Sequence, residues 1–286
     1  MTTDLLTAYQ LSLVDKSPNT VLLYCSSVRV FLRSLPEPDV EHLTVEAIRA
    51  YLKDISARNA PNTVAARLKA LRSFCQWATA EAGLDPSVLA NMPSKWSAPR
   101  TVPVTATAEE IEALLAATEG KQLLRPRAAL CLAAQAGLRS DEIRTLKWAD
   151  VDLPNMKLNV TGKGGKLREV PIFTMKLYET LRELPKESPL VLPGQSGHTM
   201  QSHTLVRMIH EACERAGITR LPDNTDRVCH ALRHGFAALS VAKGVPVPQL
   251  QYILGHSTIN MTEKYLTALR GPEPAREAWA AAGVFA

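Results

Sequence analysis

At 286 residues, with 46% hydrophobic and 21% charged residues, the chain has the composition of an ordinary globular protein and the length of about two domains. That excludes a disordered, collagen-like or coiled-coil chain, and a core of this size needs no disulfide or metal to hold it. A formal net charge of +5 permits an acidic partner such as nucleic acid without demanding one.

The longest uninterrupted apolar run, Ala128 to Ala134, is too short for a bilayer span, which takes about 20 residues. The start, Met1-Thr2-Thr3-Asp4, lacks the basic-then-apolar order of a signal peptide. Cysteines stand at 25, 75, 131, 213 and 229, widely spaced and with no Cys-x-x-Cys. This predicts thiols in a reducing compartment rather than disulfides or a zinc cluster.

Residues 1–95 read as a helical domain. Ser17-Pro18-Asn19-Thr20 precedes Val21, Leu22, Tyr24, Cys25, Val28, Phe31 and Leu32, the spacing of an amphipathic helix. A second helix is predicted over 45–55. The phrase Ala60-Pro61-Asn62-Thr63 then repeats the punctuation ahead of Val64, Leu68, Leu71, Phe74, Cys75 and Trp77. Two such units predict a small bundle rather than a repeat array. Arg67, Lys69 and Arg72 decorate the later helix, either as a solvated face or as a surface for an acidic partner.

Proline-rich residues 96–105 read as a linker, and 106–286 as a second domain. Thr107-Ala108-Glu109-Glu110 opens a helix with Thr105 or Thr107 as cap. The second domain carries one clear β signal. Leu158 and Val160 alternate, Gly162-Lys163-Gly164-Gly165 turns, and Val170 and Ile172 alternate again, which predicts a hairpin. Helical spacing returns from Thr204.

Four constellations offer chemistry. In Gly137-Leu138-Arg139-Ser140-Asp141-Glu142, Gly137 reads as a helix stop. Arg139 and Glu142 share one side of the next helix turn, as a capping pair or as part of a site. The hairpin turn is not a phosphate loop, because Lys166 is followed by Leu167 and Val160 stands where the first glycine belongs. Lys163 is therefore an ordinary turn lysine or a cation delivered by a loop. In His230-Ala231-Leu232-Arg233-His234, His230 and Arg233 share a helix face, with His234 off that face as structural support. The fourth is Leu254-Gly255-His256-Ser257 followed by Lys264-Tyr265-Leu266. No His-Glu-x-x-His or carboxylate cluster predicts a metal.

Each constellation alone fits a structural role, but their order is specific. Gly-Leu-Arg139-Ser-Asp-Glu142, Thr-Gly-Lys163-Gly-Gly-Lys-x-Arg-x-Val-Pro, His230-x-Leu-Arg233-His234, Leu-Gly-His256-Ser and Tyr265-Leu together resemble the tyrosine recombinases, the phage-integrase and Xer-like site-specific recombinases. The resemblance runs over roughly residues 10–270. It implies a mainly α fold with a small β-sheet, built as a two-domain clamp: an N-terminal helical core-binding domain and a catalytic domain. It also implies double-stranded DNA core sites as substrate, a homo-tetramer on paired sites, accessory DNA-binding proteins, and a cytoplasmic, nucleoid-associated enzyme without membrane contact.

The implied reaction is transesterification without cofactor, metal or ATP. Tyr265 attacks the scissile phosphorus and leaves a 3′-phosphotyrosyl bond and a free 5′-hydroxyl. Arg139 and Arg233 suit the phosphate oxygens, because guanidinium is planar and always charged. Tyrosine, with an ordinary pKa near 10, needs a base or proton acceptor, for which His230, expected on the helix face of Arg233, is the candidate. Lys163 supplies the leaving-group proton, His256 donates to a phosphate oxygen, and Glu142 orients Arg139. Residues Arg67, Lys69 and Arg72 are DNA-contact candidates. The tail from Glu273 to Ala280 is expected to dock on a neighbouring protomer or on its own domain. A type IB topoisomerase and a non-catalytic DNA-binding module are the competing expectations.

Overall fold

A computed structural model describes residues 2–97, 104–222 and 227–256. The chain divides into two compact units, Met1–Thr101 and Val102–Ala286.

In the first unit, α1 (Thr2–Ser12), α2 (Pro18–Leu32), α3 (Val45–Ser56), α4 (Pro61–Glu81) and α5 (Pro86–Asn91) form a helical bundle. Both Pro-Asn-Thr phrases start helices, with Pro18 and Pro61 in the first turn, where a missing N–H costs nothing. Ser17 caps α2 by accepting from the Thr20 N–H. The longest helix, α4, lies at the centre, packed against the other four. Its buried Phe74 meets Tyr9 edge-on at 5.1 Å between ring centroids, and Phe31 meets Tyr51 in the same way at 5.2 Å.

The second unit opens with α6 (Ala108–Ala116), where Thr107 and Glu110 form a reciprocal capping box. Then come α7 (Leu124–Ala134), α8 (Ser140–Thr145), α9 (Met175–Glu183), α10 (Ser202–Arg215), α11 (Arg227–Ala242) and α12 (Val247–Leu254). The apolar run 128–134 is the C-terminal part of α7, buried at every residue, and α7 packs against α6, α8, α9, α10 and α11. A segment apolar all round belongs at the middle of a core. Among the described residues no helix is long and apolar enough to cross a membrane.

The hairpin forms as read, from β2 (Lys157–Thr161) and β3 (Leu167–Pro171), with Leu158 opposite Val170 and Val160 opposite Arg168. A third strand, β1 (Val151–Asp152), pairs antiparallel with β2 and extends the sheet in the order β1-β2-β3. Two residues are too few to show alternation, so β1 left no periodic signal. All five cysteines are buried. Burial pushes the Cys75 and Cys131 thiols up to about 12.

Candidate active site

Three elements converge on a fourth, the C-terminal end of α12. The first is the segment after α7. Gly137 adopts φ +65°, which turns the chain out of the helix, and the Leu138 N–H returns to the Leu132 carbonyl at 2.9 Å. Arg139 then stands at the N-cap of α8. Glu142, three residues on, accepts from the Arg139 backbone N–H at 2.8 Å and from Arg139 Nη1 at 3.0 Å. The capping pair and the site are therefore the same object.

The second element is β3. Its outward and inward residues alternate, and Arg168 falls on the inward parity with Val170. Its guanidinium lies flat against Glu142: Nη1 donates to Oε1 at 2.9 Å and Nη2 to Oε2 at 2.8 Å. Both side chains are only 5% exposed. Such a forked, charge-assisted pair is the strongest form of this contact.

The third element is α11, which brings Arg233 in from beneath, 2% exposed, with Nη1 3.8 Å from Glu142 Oε2. Three guanidinium groups thus surround one carboxylate. Burial by itself raises the Glu142 pKa. The Arg168 hydrogen bonds, the Arg139 N–H and the two arginine charges overcome it and hold the carboxyl below its ordinary range. Glu142 is anionic at neutral pH.

The fourth element is the end of α12, where carbonyls have no helical partner. Three successive ones are taken by the three arginines. Ile253 O accepts from Arg168 Nε at 2.7 Å, Leu254 O from Arg233 Nη2 at 2.5 Å, and Gly255 O from Arg139 Nη2 at 3.2 Å. Cations at a helix C-terminus also oppose the negative end of its dipole. Gly255 adopts φ +61° in this turn, and an added Cβ would lie 3.1–3.2 Å from the Arg168 side chain. The turn sets down His256, whose N–H donates to Gln251 O at 3.1 Å.

His256 is half-buried beside this cationic cluster. Burial first, then the Arg233 and Arg139 charges, push its pKa down to about 4. At neutral pH it is an uncharged imidazole, with one ring N–H to donate.

The other predicted residues fall as follows. His230 is exposed on α11. The expectation that His234 lies off the His230 face is corrected. The two rings stack at 6.2 Å between centroids with planes inclined by 29°, as an i, i+4 pair on a helix must. The expectation that Arg233 shares the His230 face is corrected with it: Arg233, one residue before His234, is buried and turns into the core, while His230 is exposed. The Lys163 backbone sits at the hairpin tip, in the short 3-10 turn Lys163–Gly165 closed by Gly162 N–H to Lys166 O at 2.8 Å. Tyr265 and the 273–280 tail lie outside the described residues.

On α4, Arg67 donates to the Tyr51 hydroxyl at 3.4 Å, and Arg72 to the Met92 and Pro93 carbonyls at 3.5 and 3.2 Å. Lys69 is exposed. Two of these three cations therefore also tie their own bundle together. In the same unit, Glu37, Asp39 and His42 bring potential ligand atoms within 4.8 Å of one another, an acidic turn the sequence reading did not single out. Asp39 Oδ1 already accepts from the His42 N–H at 3.1 Å and meets its ring Nδ1 at 2.7 Å.

Sequence reasoning gave Arg168 no role, although it stands inside the quoted Lys-x-Arg-x-Val-Pro motif. The available signal was parity: with Val170 and Ile172 inward, residue 168 faces the core, and a buried arginine needs an anionic partner.

A family model described as the phage integrase family matches residues 105–270, and one for the phage integrase N-terminal SAM-like domain matches residues 7–82. The tyrosine recombinase XerC of Myxococcus xanthus is 29% identical over 267 residues, covering 87% of each chain. The tyrosine recombinase XerD of Lacticaseibacillus casei is 31% identical over 226 residues, covering 76% of each.

Two solved structures share the fold. Lambda integrase (75–356) as a dimer bound to a COC' core site has a TM-score of 0.75 at 23% identity, covering 92% of this chain and 94% of that one. XerH bound to difH substrate has 0.68 at 21%, covering 91% and 77%.

The two units are a SAM-like helical domain followed by a catalytic domain. The chain belongs to the phage integrase family. It is an enzyme of the tyrosine recombinase class, the description carried by its relatives.

Proposed function

We propose that the chain breaks and rejoins DNA at specific sites, through a covalent bond between Tyr265 and a 3′-phosphate. One observation carries the reading: Arg139 and Arg233 are held by Glu142 and by the Gly255 and Leu254 carbonyls, at the turn that also carries neutral His256. A phosphodiester repels nucleophiles, and its transition state gathers charge on the non-bridging oxygens. Two preset guanidiniums and an imidazole N–H are donors suited to those oxygens. Their attraction for those oxygens is strengthened by partial exclusion of water.

In the step itself, the Tyr265 Oη–P bond forms and the P–O5′ bond breaks. His230, exposed on α11, takes the phenolic proton, and Lys163 gives a proton to the departing 5′-oxygen. The reverse step, with a 5′-hydroxyl from a partner strand, transfers the strand through a Holliday junction. The phosphotyrosyl bond conserves the energy of the broken strand, so neither metal nor ATP enters the scheme. Residues 1–95 serve as the core-DNA-binding domain, with Lys69, Arg67 and Arg72 near phosphates, and 106–286 as the catalytic domain. Four copies on two sites, with accessory DNA-binding proteins, complete the scheme in the cytoplasm at the nucleoid. Integration, excision and resolution share this chemistry.

The test uses plasmids carrying pairs of candidate sites drawn from DNA flanking the gene. Exchange between the two sites, with a trapped four-way junction, is expected. Covalent adducts that only relax supercoils, with no exchange between paired sites, would replace the reading with a topoisomerase.

A further inference from the structure

We propose that Arg168 is a positioning residue for strand cleavage: it locks Glu142 to the 253–256 turn, so that Arg139, Arg233 and His256 present their donors together. The consequence for cleavage rests on the recombinase reading; the linkage rests on the geometry.

Arg168 ties Glu142 to the end of α12 with all three of its guanidinium nitrogens. Its two Nη atoms hold both oxygens of Glu142, and its Nε holds the Ile253 carbonyl. Its strand is pinned to the same helix one residue later, where the Glu169 N–H donates to the Tyr252 hydroxyl at 3.3 Å. The packing leaves the guanidinium little room to move. Ideal Cβ atoms at Gly162 and Gly255 would lie 3.3 and 3.1 Å from its Nη1.

Each link has a job in the cluster. With Glu142 held at both oxygens, its orientation is fixed, and Arg139 is fixed through it. With Ile253 held, the carbonyls of Leu254 and Gly255 stay where Arg233 and Arg139 reach them. His256 follows directly in the chain. Lysine carries the same charge but lacks the fork, so it cannot bind both Glu142 oxygens and Ile253 O at once. Arg168 touches no substrate in this scheme; it acts through Glu142 and the turn.

The experiment compares full-length wild type with Arg168→Lys in two ways. The first is an NMR titration of the His256 ring without DNA. Release of the turn in Arg168→Lys is expected to raise the midpoint by about one pH unit toward the ordinary histidine value. A midpoint unchanged from wild type overturns the linkage. Should Arg168→Lys fail to fold, Arg168→Gln takes its place with the same expected rise; it keeps Glu142 as the anion for Arg139 and Arg233 and removes a cation near His256.

The second readout is the single-turnover rate of covalent adduct formation on suicide duplexes. One series carries a normal scissile phosphate, the other a methylphosphonate, which lacks one negative charge and leans less on the arginines. Arg168→Lys is expected to slow the phosphate reaction about 10- to 100-fold, as misplaced groups do, and the methylphosphonate reaction by less than about 3-fold. Equal loss on both duplexes overturns the positioning role, because general loss of structure does not distinguish them. A wild type that forms no adduct on any duplex, with the His256 shift as expected, defeats the recombinase reading and leaves the linkage standing.

Discussion

Arg233 on α11 and Leu254 at the end of α12 are joined by a 2.5 Å hydrogen bond from Nη2 to the carbonyl oxygen. The other terminal nitrogen of the same guanidinium, Nη1, donates to Gly137 O, just ahead of Arg139. One buried side chain therefore sets the spacing of three segments of the candidate site. An arginine held by backbone at both ends is oriented before substrate arrives, so its charge is preorganised.

Arg233→Lys keeps the charge and loses the fork. Single-turnover adduct formation is expected to fall about 100- to 1,000-fold, the cost of removing one donor to a developing oxyanion. DNA affinity in a gel-shift assay stays within about 3-fold, because one phosphate contact among many is a small part of binding.

Glu142→Gln removes the one anion among three guanidiniums. Breaking a buried ion cluster from one side costs about 3 to 5 kcal/mol, since the remaining charges are left uncompensated. The thermal midpoint is expected to drop accordingly. A variant as stable as wild type would mean the arginines find other anions.

The pH dependence of stability follows from His256. The unfolded chain takes up a proton there near pH 6.5, the folded chain only near pH 4, because of burial first and then the Arg233 and Arg139 charges. Between these values the unfolded state binds more protons, so this contribution is complete above pH 6.5 and is lost as the pH falls toward 4. It amounts to about 1–2 kcal/mol, discounted for partial exposure. Denaturant titrations across this window, in wild type and His256→Gln, measure it; the slope is expected to flatten in the variant.

Gly235→Ala tests the packing beneath the site. An added Cβ there falls 2.5 Å from the Ala106 backbone oxygen, and Ala106 itself donates its N–H to Ala231 O at 3.0 Å. Overpacking of this kind costs about 1–3 kcal/mol. Because it pushes α11, which carries Arg233, activity should fall further than stability. Adduct rates under conditions where the variant is fully folded check this.

Much of this was legible in the sequence, for physical reasons. Helices with Pro or Thr at their starts and clear apolar stripes, such as α2, α4 and α6, follow from local chemistry. The hairpin follows from strict alternation around glycines. Arg139 and Glu142 could be paired because three residues on one helix turn is a local distance. The link from Arg168 to Glu142 was not local: it joins residues 26 apart through tertiary packing. The three arginines on successive carbonyls of the α12 end were hidden for the same reason. The His230–His234 stack was misread by weighing His230 and Arg233 at i, i+3 while ignoring the equally close i, i+4 neighbour.

In the proposed reaction Tyr265 carries the broken strand while the protein's own cations stabilise the developing charge. The direct measurement incubates wild type and Tyr265→Phe with suicide duplexes from the gene's flanks, in EDTA, and resolves the products on a denaturing gel. The account predicts a covalent protein–DNA adduct for wild type, none for Tyr265→Phe, and equal DNA binding by both. An adduct that persists in Tyr265→Phe, or a wild type that binds but never forms one on a site that recombines in cells, would contradict it.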